Sequence, residues 1–182
     1  SLMALLLQKE GINARSWQGW QVPINTTDNH SNARILSIGT KNLEEKFSAG
    51  MQVAIIAGFQ GISNNNRVTT LGRGGSDTSA VAIAAAIKAE RCDIYTDVDG
   101  IYTTDPRITF NAKKLDKISY EEMLELASLG AKVLQTRSVE LAMQYKVKLR
   151  VLNSFNEGSG TILCDEEYIM EKRVVSGITF SK

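Results

Sequence analysis

The residues best suited to chemistry lie in a glycine-rich turn, Gly72-Arg73-Gly74-Gly75-Ser76-Asp77, between a β-type run and an alanine-rich run. Its three glycines let backbone N–H groups approach a ligand without side-chain obstruction. The helix that follows aims its unpaired N–H groups at the same place. The guanidinium of Arg73 suits a carboxylate or a phosphate. The stretch therefore predicts an anion site at the start of a helix.

The same turn also has a purely structural interpretation, because Ser76 or Asp77 would cap the helix. Capping explains one of these residues, but it does not explain Arg73 together with three glycines. The pattern differs from the dinucleotide fingerprint G-x-G-x-x-G, since Asp77 stands in place of the third glycine. It also differs from a Walker A loop, because no Gly-Lys-Ser/Thr follows.

A second polar stretch runs from Tyr95 to Arg107 and begins at the carboxyl end of a predicted strand. It holds three aspartates, two tyrosines and an arginine, punctuated by Gly100 and Pro106. Ligands of open α/β sheets bind outside the carboxyl ends of strands, so this loop is a candidate binding site. Asp-Gly and Asp-Pro also form ordinary solvated turns, and both interpretations stay open at this point.

Other candidates are weaker. Lys132, near a helix start, could reach a phosphate, although a lone lysine is more often a surface residue. His30 is the single histidine of the sequence and is expected to form loop hydrogen bonds, because one histidine supplies neither a Ser-His-Asp nor a His-rich zinc mechanism. Cys92 and Cys164 predict reduced thiols rather than a disulfide framework or a metal cluster.

Strands and helices are predicted to alternate along the chain around these candidate sites. Predicted strands cover 13–17, 34–38, 53–57, 67–71, 92–96, 148–152 and 161–164. Predicted helices cover 2–10, 42–49, 78–87, 119–129 and 133–145. The apolar helix 2–10 is expected in a core, and the run 53–57 fits a strand buried on both faces. The alternation predicts an α/β fold with a mainly parallel sheet between helices.

Composition narrows the classes of function. The chain has 182 residues, 43% of them hydrophobic, and a formal charge of +1. This balance offers no global field to attract nucleic acid or an acidic membrane, so neither is expected as a partner. No apolar run reaches the ~20 residues that a bilayer requires.

Several stretches closely resemble the aspartate kinases of the amino acid kinase family. They are the run from Thr69 to Asp77 with Ala80-Val81-Ala82, the run from Thr96 to Arg107, Ser119-Tyr120-Glu121-Glu122-Met123, Gly130-Ala131-Lys132-Val133-Leu134, Gly58-Phe59-Gln60-Gly61 and His30-Ser31-Asn32-Ala33-Arg34-Ile35. Thr-Asp-Val-Asp-Gly is shared with sister kinases of N-acetylglutamate, glutamate and UMP. Gly-Arg-Gly-Gly-Ser-Asp points to the aspartate enzymes.

The resemblance implies a three-layer α/β/α sandwich with a mainly parallel central sheet. It implies ATP- and Mg²⁺-dependent phosphorylation of the side-chain carboxylate of L-aspartate to 4-phospho-L-aspartate, which begins lysine, threonine and methionine biosynthesis. The catalytic set would be Asp77, Lys132 and Arg73. The residues that would hold aspartate are Arg73, Gly74, Gly75, Ser76 and Phe59. The residues that would hold ATP are Thr96, Asp97, Tyr102, Thr103, Thr104, Asp105, Pro106, Arg107 and Lys132. No residue is assigned as a metal ligand.

The resemblance also predicts the organisation of the chain. Residues 1–165 would be a kinase domain without its N-terminal Lys-x-Gly-Gly segment, whose lysine sits on the transferring phosphate. Residues 166–182 would be a linker towards ACT regulatory domains, where lysine or threonine inhibits. The expected parent protein is cytoplasmic and forms homo- or hetero-oligomers. Two alternatives stay open: a sister amino acid kinase of the N-acetylglutamate or UMP type, and a non-catalytic chain that binds a nucleotide or an effector.

Overall fold

The structure, a computed structural model, describes residues 1–130, 133–166 and 177–178. It divides into two compact units, residues 1–87 and 88–182. Both units combine helices and strands along the chain, which agrees with the predicted α/β class, although strands and helices follow one another in short runs rather than in strict alternation. Lys132 lies outside the described residues.

The first unit contains three helices and six strands among its described residues. In chain order they are α1 (Leu2–Lys9), β1 (Ala14–Trp17), β2 (Ile24–Thr26), β3 (Ile35–Ile38), α2 (Lys41–Ser48), β4 (Val53–Ile56), β5 (Gln60–Ser63), β6 (Val68–Thr70) and α3 (Gly75–Ala86). Strands β1 and β4 pair in parallel. The other four strands form a mixed sheet in the order β3-β2-β5-β6, in which β2 and β5 are parallel. The antiparallel pair β5-β6 delivers the chain to the glycine-rich turn before α3.

The second unit contains one mixed sheet and two helices among its described residues. Its elements are β7 (Cys92–Thr96), β8 (Lys117–Ser119), α4 (Tyr120–Ser128), α5 (Thr136–Tyr145), β9 (Leu149–Asn153) and β10 (Thr161–Cys164). The strand order is β7-β9-β10-β8, with β7 parallel to β9 and β10 parallel to β8. The central strands carry buried Leu149, Val151 and Leu163, so the core of this unit lies along them.

Local sequence accounts for the two helices nearest the candidate sites. Helix α3 is rich in alanine and buries Val81, Ala82 and Ala84, as its apolar composition predicts. Helix α4 starts at the predicted capping box, in which the Ser119 hydroxyl accepts from the Glu122 N–H and the Glu122 carboxylate accepts from the Ser119 N–H.

Two burial predictions are wrong. Helix α1 buries Ala4 against the β1 side but exposes Leu2, Met3, Leu5 and Leu6, so it is not a core helix in the described structure. Strand β4 is half-buried at all four residues rather than fully buried, because in the described part of the chain it pairs with β1 alone. No helix of the described residues is long and apolar enough to span a membrane.

Candidate functional site

The glycine-rich turn in the first unit is held by backbone hydrogen bonds on both sides. The N–H of Leu71, which is fully buried, donates to the carbonyl of Phe59 at 3.0 Å, and the N–H of Gly75 donates to the carbonyl of Gly72 at 3.0 Å. Gly72 and Gly74 have φ values of +80° and +71°, a region that favours glycine. The backbone of the turn is therefore fixed, and few residues other than glycine would adopt the conformations of Gly72 and Gly74.

Helix α3 begins at Gly75, three residues before the predicted start at 78, with Gly74 as its N-cap. The Thr78 N–H bonds the Gly74 carbonyl at 3.1 Å and closes the first helical turn. The N–H groups of Ser76 and Asp77 therefore belong to the first turn of a helix, where no helical carbonyl precedes them. These residues form the amino-terminal end of α3, at which the sequence predicts an anion site.

Phe59 lies against this turn. Its N–H donates to Ser79 Oγ at 3.2 Å, and Ser79 Oγ donates to the Ser76 carbonyl at 2.8 Å. A Cβ built at Gly75 would lie 2.8 Å from the Phe59 ring, so the ring rests directly on that glycine. Phe59 also adopts φ +68°, an uncommon and strained conformation for a large side chain.

The polar side chains of the turn differ in burial. Arg73 and Ser76 are exposed, and no carboxylate of the described residues lies within ion-pair distance of the Arg73 guanidinium. Asp77 is half-buried, and this burial raises the pKa of its carboxyl despite an opposing hydrogen bond from Ser76. The turn thus exposes the Arg73 guanidinium to solvent. Beside it lies the Asp77 carboxyl, whose ionised form would be stabilised by a nearby positive group.

The single histidine supports this region from outside. Its carbonyl accepts from the Thr70 N–H at 2.9 Å and from the Thr70 hydroxyl at 2.6 Å, while its Nδ1 lies 3.1 Å from the Val68 carbonyl. His30 is therefore a loop hydrogen-bonding residue, which confirms the sequence-based interpretation.

In the second unit, the ends of the parallel strands β7 and β9 meet at one edge of the sheet. The Asn153 side-chain amide donates to the Asp97 carbonyl at 3.1 Å, and the Ser154 N–H donates to the Thr96 carbonyl at 2.8 Å. The Thr96 hydroxyl donates to the Asp97 carboxylate at 3.1 Å. The structure therefore places Thr96 and Asp97 at the carboxyl edge, where ligands of such sheets bind.

The loop that continues from this edge is braced by the segment before β8. The N–H of Thr103 donates to the Lys113 carbonyl at 2.9 Å, and the Lys113 N–H donates to the Thr103 hydroxyl at 3.1 Å. The Thr103 carbonyl also accepts from the Ile178 N–H at 2.7 Å. Thr103 and Thr104 are half-buried, so this part of the loop is anchored rather than free in solvent.

Arg107 and Asp105 form a surface ion pair in this loop. The Arg107 guanidinium donates to both carboxylate oxygens of Asp105, at 3.1 and 2.9 Å. The pair holds the pKa of Asp105 below its ordinary value through the Arg107 hydrogen bonds. Exposed ion pairs contribute little to stability because solvent screens them, so a phosphate could draw Arg107 away at small cost. Pro106 is exposed between the two.

The structure thus groups the candidate residues within each unit. Phe59 joins the turn 72–77 in the first unit, and Thr96, Asp97 and the loop 102–107 share one sheet edge in the second. Sequence reasoning missed Asn153, although its place after the strand that neighbours β7 could have drawn attention to it. The described residues hold no group of three or more His, Cys, Asp or Glu that could bind a metal ion.

Comparison with known proteins gives the family. A profile of the amino acid kinase family matches residues 1–153. An aspartokinase of Rickettsia bellii is 55% identical over 183 aligned residues, which cover 100% of this chain and 45% of that protein. The chain therefore spans less than half the length of such curated relatives.

Solved structures agree with this result. E. coli aspartokinase III in complex with aspartate and ADP superposes with a TM-score of 0.80 at 36% identity, covering 90% of this chain and 37% of that one. The aspartate kinase from Synechocystis superposes with a TM-score of 0.73 at 47% identity, covering 90% of this chain and 27% of that one. These likenesses confirm the predicted fold class. With the profile match over most of its length, the chain belongs to the amino acid kinase family.

Proposed function

We propose that the protein containing this chain phosphorylates the side-chain carboxylate of L-aspartate with ATP, giving 4-phospho-L-aspartate and ADP. The observation that carries the proposal is the exposed guanidinium of Arg73 in a fixed glycine turn at the start of α3, with Phe59 resting on Gly75. This arrangement is suited to a small ligand that has a carboxylate. The names of the relatives and the aspartate–ADP complex of E. coli aspartokinase III support the same choice.

Two charged residues of the turn, Arg73 and Asp77, would bind the two oppositely charged groups of aspartate. Arg73 would bind a carboxylate of the substrate through its planar pair of N–H donors. The Asp77 carboxyl, whose pKa is raised by burial, would be stabilised in its ionised form by the substrate ammonium group. Gly74 and Gly75 allow close approach, and Ser76 lies exposed in the first turn of α3.

The reaction needs positioning and charge neutralisation more than covalent help from the protein. A side-chain carboxylate oxygen of aspartate attacks the γ-phosphorus, the bond to the β–γ bridging oxygen breaks, and ADP leaves. Arg73 would orient the acceptor so that this attack is in line. Lys132, which the family pattern assigns to ATP and catalysis, would add a positive charge near the phosphates.

The nucleotide would lie at the edge formed by Thr96 and Asp97, with the loop of Tyr102, Thr103, Thr104, Asp105, Pro106 and Arg107 beside it. The oxygen ligands that the described residues offer a metal ion there are separate carboxylates rather than a cluster. One of them, Asp97, already accepts a hydrogen bond from Thr96. That set fits a magnesium ion carried mainly by the triphosphate oxygens rather than a dedicated protein cage. When bound, the ion neutralises phosphate charge.

The proposal extends to organisation and partners. Residues 1–165 would form the kinase domain and residues 166–182 a linker towards regulatory ACT domains. A structure of E. coli aspartokinase III in complex with lysine and aspartate supports lysine as an effector of the whole protein, and threonine is the alternative that the family resemblance implies. A cytoplasmic homo- or hetero-oligomer is the expected form.

The direct test is a binding and transfer panel on the chain with L-aspartate, N-acetyl-L-glutamate, UMP and MgATP. Binding by calorimetry is the first readout, because these 182 residues do not include the Lys-x-Gly-Gly segment of the family pattern. We expect L-aspartate and MgATP to bind and the other two acceptors not to bind. Preferential binding or phosphorylation of UMP or N-acetyl-L-glutamate would instead assign a sister kinase.

Replacing Arg73 tests the observation on which the proposed function rests. Arg73→Ala should weaken L-aspartate binding by about 2–4 kcal/mol, which is about 30- to 1,000-fold. Arg73→Lys should recover only part of this loss, because a lysine cannot form the paired hydrogen bonds. Arg67→Ala, an exposed arginine outside the turn, is the matched control. Unchanged aspartate affinity in Arg73→Ala would contradict the proposed function.

A further inference from the structure

The turn that carries Asp99 and Tyr102 has a rigid backbone. Ile101, buried between them, donates its N–H to Thr161 Oγ1 at 2.8 Å, and its carbonyl accepts from the Leu115 N–H at 2.8 Å. Thr161 Oγ1 in turn donates to the Leu115 carbonyl at 2.6 Å, within a buried hydrogen-bond network. These bonds fix the backbone positions from which the two flanking side chains project.

The same turn packs closely against Lys114. A Cβ built at Gly100 would lie 3.0 Å from Lys114 Cδ and 2.5 Å from Thr161 Oγ1, so the position has no room for a side chain. Tyr102 and Lys114 are also joined by an antiparallel β-bridge. The aliphatic part of Lys114 therefore covers the turn, while its ammonium group extends towards Asp99.

Three side chains meet at this point. The Tyr102 hydroxyl donates to both carboxylate oxygens of Asp99, at 3.0 and 3.2 Å. Lys114 Nζ lies 3.6 Å from Asp99 Oδ2. Partial burial and the neighbouring carboxylate raise the pKa of Tyr102, so its hydroxyl stays a neutral donor. Asp99 therefore holds Tyr102 in one orientation, and Lys114 holds Asp99.

Asp99 is an unexpected residue at an edge proposed to receive a triphosphate, because a carboxylate repels phosphate oxygens. The Lys114 ammonium group offsets the negative charge of Asp99, and the Asp99 carboxylate accepts the hydrogen bond that orients Tyr102. Because the hydrogen bonds of Ile101 fix the backbone here, Tyr102 can still move only by rotation about its side-chain torsions. The hydrogen bonds to the Asp99 carboxylate restrict that rotation. An ordered aromatic side chain binds a nucleotide at lower entropic cost than a mobile one.

We propose that Asp99 is a positioning residue for nucleotide binding, which acts through the Tyr102 hydroxyl and is itself held by Lys114. The inference rests on the proposed function, since it needs ATP at this edge of the sheet. Asp99 would influence affinity for MgATP without touching it, and removal of either partner of the Asp99–Tyr102 hydrogen bond would have the same consequence.

A double-mutant cycle tests this claim. The affinity of the chain for MgATP is measured by calorimetry in the wild type, Asp99→Ala, Tyr102→Phe and the double variant. We expect each single variant to bind MgATP about two- to tenfold more weakly, the cost of ordering one side chain on binding. The double variant should be no weaker than either single variant. Tyr145→Phe, an exposed tyrosine at the end of α5 and outside the proposed nucleotide site, is the control and should leave the affinity unchanged.

Two further measurements separate positioning from a general structural effect. Asp99→Asn keeps a carbonyl oxygen for the Tyr102 hydroxyl, so it should recover most of the MgATP affinity that Asp99→Ala loses. Thermal unfolding of each variant reports stability alongside affinity. Additive losses in the cycle, or an Asp99→Asn variant as weak as Asp99→Ala, would overturn the inference while leaving the proposed function standing. Failure of the wild type to bind MgATP would overturn both.

Discussion

At the residue scale, burial sets the charge preference of Asp77. Its carboxyl is half-buried at the start of α3, and desolvation raises its pKa above the ordinary 3.8, despite the hydrogen bond from Ser76. A helix start favours a negative charge, yet here the loss of water outweighs that preference. The protein therefore keeps a carboxyl where its ionised form costs stability. Such a cost is reasonable when a positively charged substrate group compensates for it.

The pH dependence of stability tests this interpretation. Because the pKa of Asp77 is higher in the folded chain than in the unfolded chain, its ionisation destabilises the fold above the raised pKa. That cost disappears as the pH falls through the raised pKa towards 3.8. Asp77→Asn should therefore unfold at higher urea concentration than the wild type at pH 7, and the difference should narrow as the pH is lowered towards ~4.

Asp77→Asn should also lose L-aspartate binding, because the asparagine amide has no negative charge to pair with the ammonium group of the substrate. Asp116→Asn removes one exposed carboxylate elsewhere and is the matched control. A variant less stable than the wild type at pH 7 would show that the Asp77 carboxylate stabilises the fold. Desolvation would then not be the dominant effect on the pKa of Asp77.

At the scale of single elements, the candidate sites depend on how a strand is joined to the next helix or loop. The path from β6 through Leu71 to α3 is defined by glycines and by contact with Phe59. The path from β7 to the loop 102–107 is defined by hydrogen bonds from Asn153, Ser154 and Lys113. In both cases the connection is rigid because neighbouring elements supply its partners.

Gly75→Ala tests the close packing of the first connection. The new Cβ would lie 2.8 Å from both the Leu71 Cβ and the Phe59 ring, so one of them must move. We expect a loss of about 1–3 kcal/mol in the free energy of unfolding, together with weaker L-aspartate binding. Urea denaturation and calorimetry measure the two effects.

Gly158→Ala is the matched control, because Gly158 is exposed and its added Cβ would meet no heavy atom within 4 Å. Its stability should differ from the wild type by less than about 0.5 kcal/mol. Equal effects of the two substitutions would mean that the contact between Phe59 and the turn contributes nothing specific.

At the scale of the whole molecule, the proposed aspartate residues and the proposed nucleotide residues belong to different compact units. Arg73, Asp77 and Phe59 lie in residues 1–87, whereas Thr96, Asp97 and the loop 102–107 lie in residues 88–182. The proposed function therefore assigns one substrate to each unit. Because each set is anchored by contacts within its own unit, substitutions in the two sets should affect different ligands.

Single substitutions in each unit test this division. Arg73→Ala should weaken L-aspartate binding and leave MgATP affinity within about twofold. Arg107→Ala should weaken MgATP binding by about tenfold, the lower end of the value of one hydrogen bond to a charged group, and leave L-aspartate affinity unchanged. Both affinities are measured by calorimetry with one ligand at a time. Loss of both ligands in either variant, with the fold intact by circular dichroism, would contradict the assignment of one ligand to each unit.

The sequence by itself determined the features that depend on neighbouring residues. The strands Cys92–Thr96 and Thr161–Cys164, the capping box at Ser119 and the glycine turn before α3 all occur where local pattern predicts them. Their cause is local: apolar runs, a serine followed by Glu122, and a conformation that glycine favours.

Tertiary structure decided what depends on distant partners. The strands β2, β5 and β8, of three or four residues each, form because other strands pair with them, and no local pattern predicted them. The exposure of α1 and the half-burial of β4 follow from which elements cover them. Asn153 reaches Asp97 across 56 positions of sequence. Such contacts exist only after the sheet has formed, because the sheet alone brings these residues together.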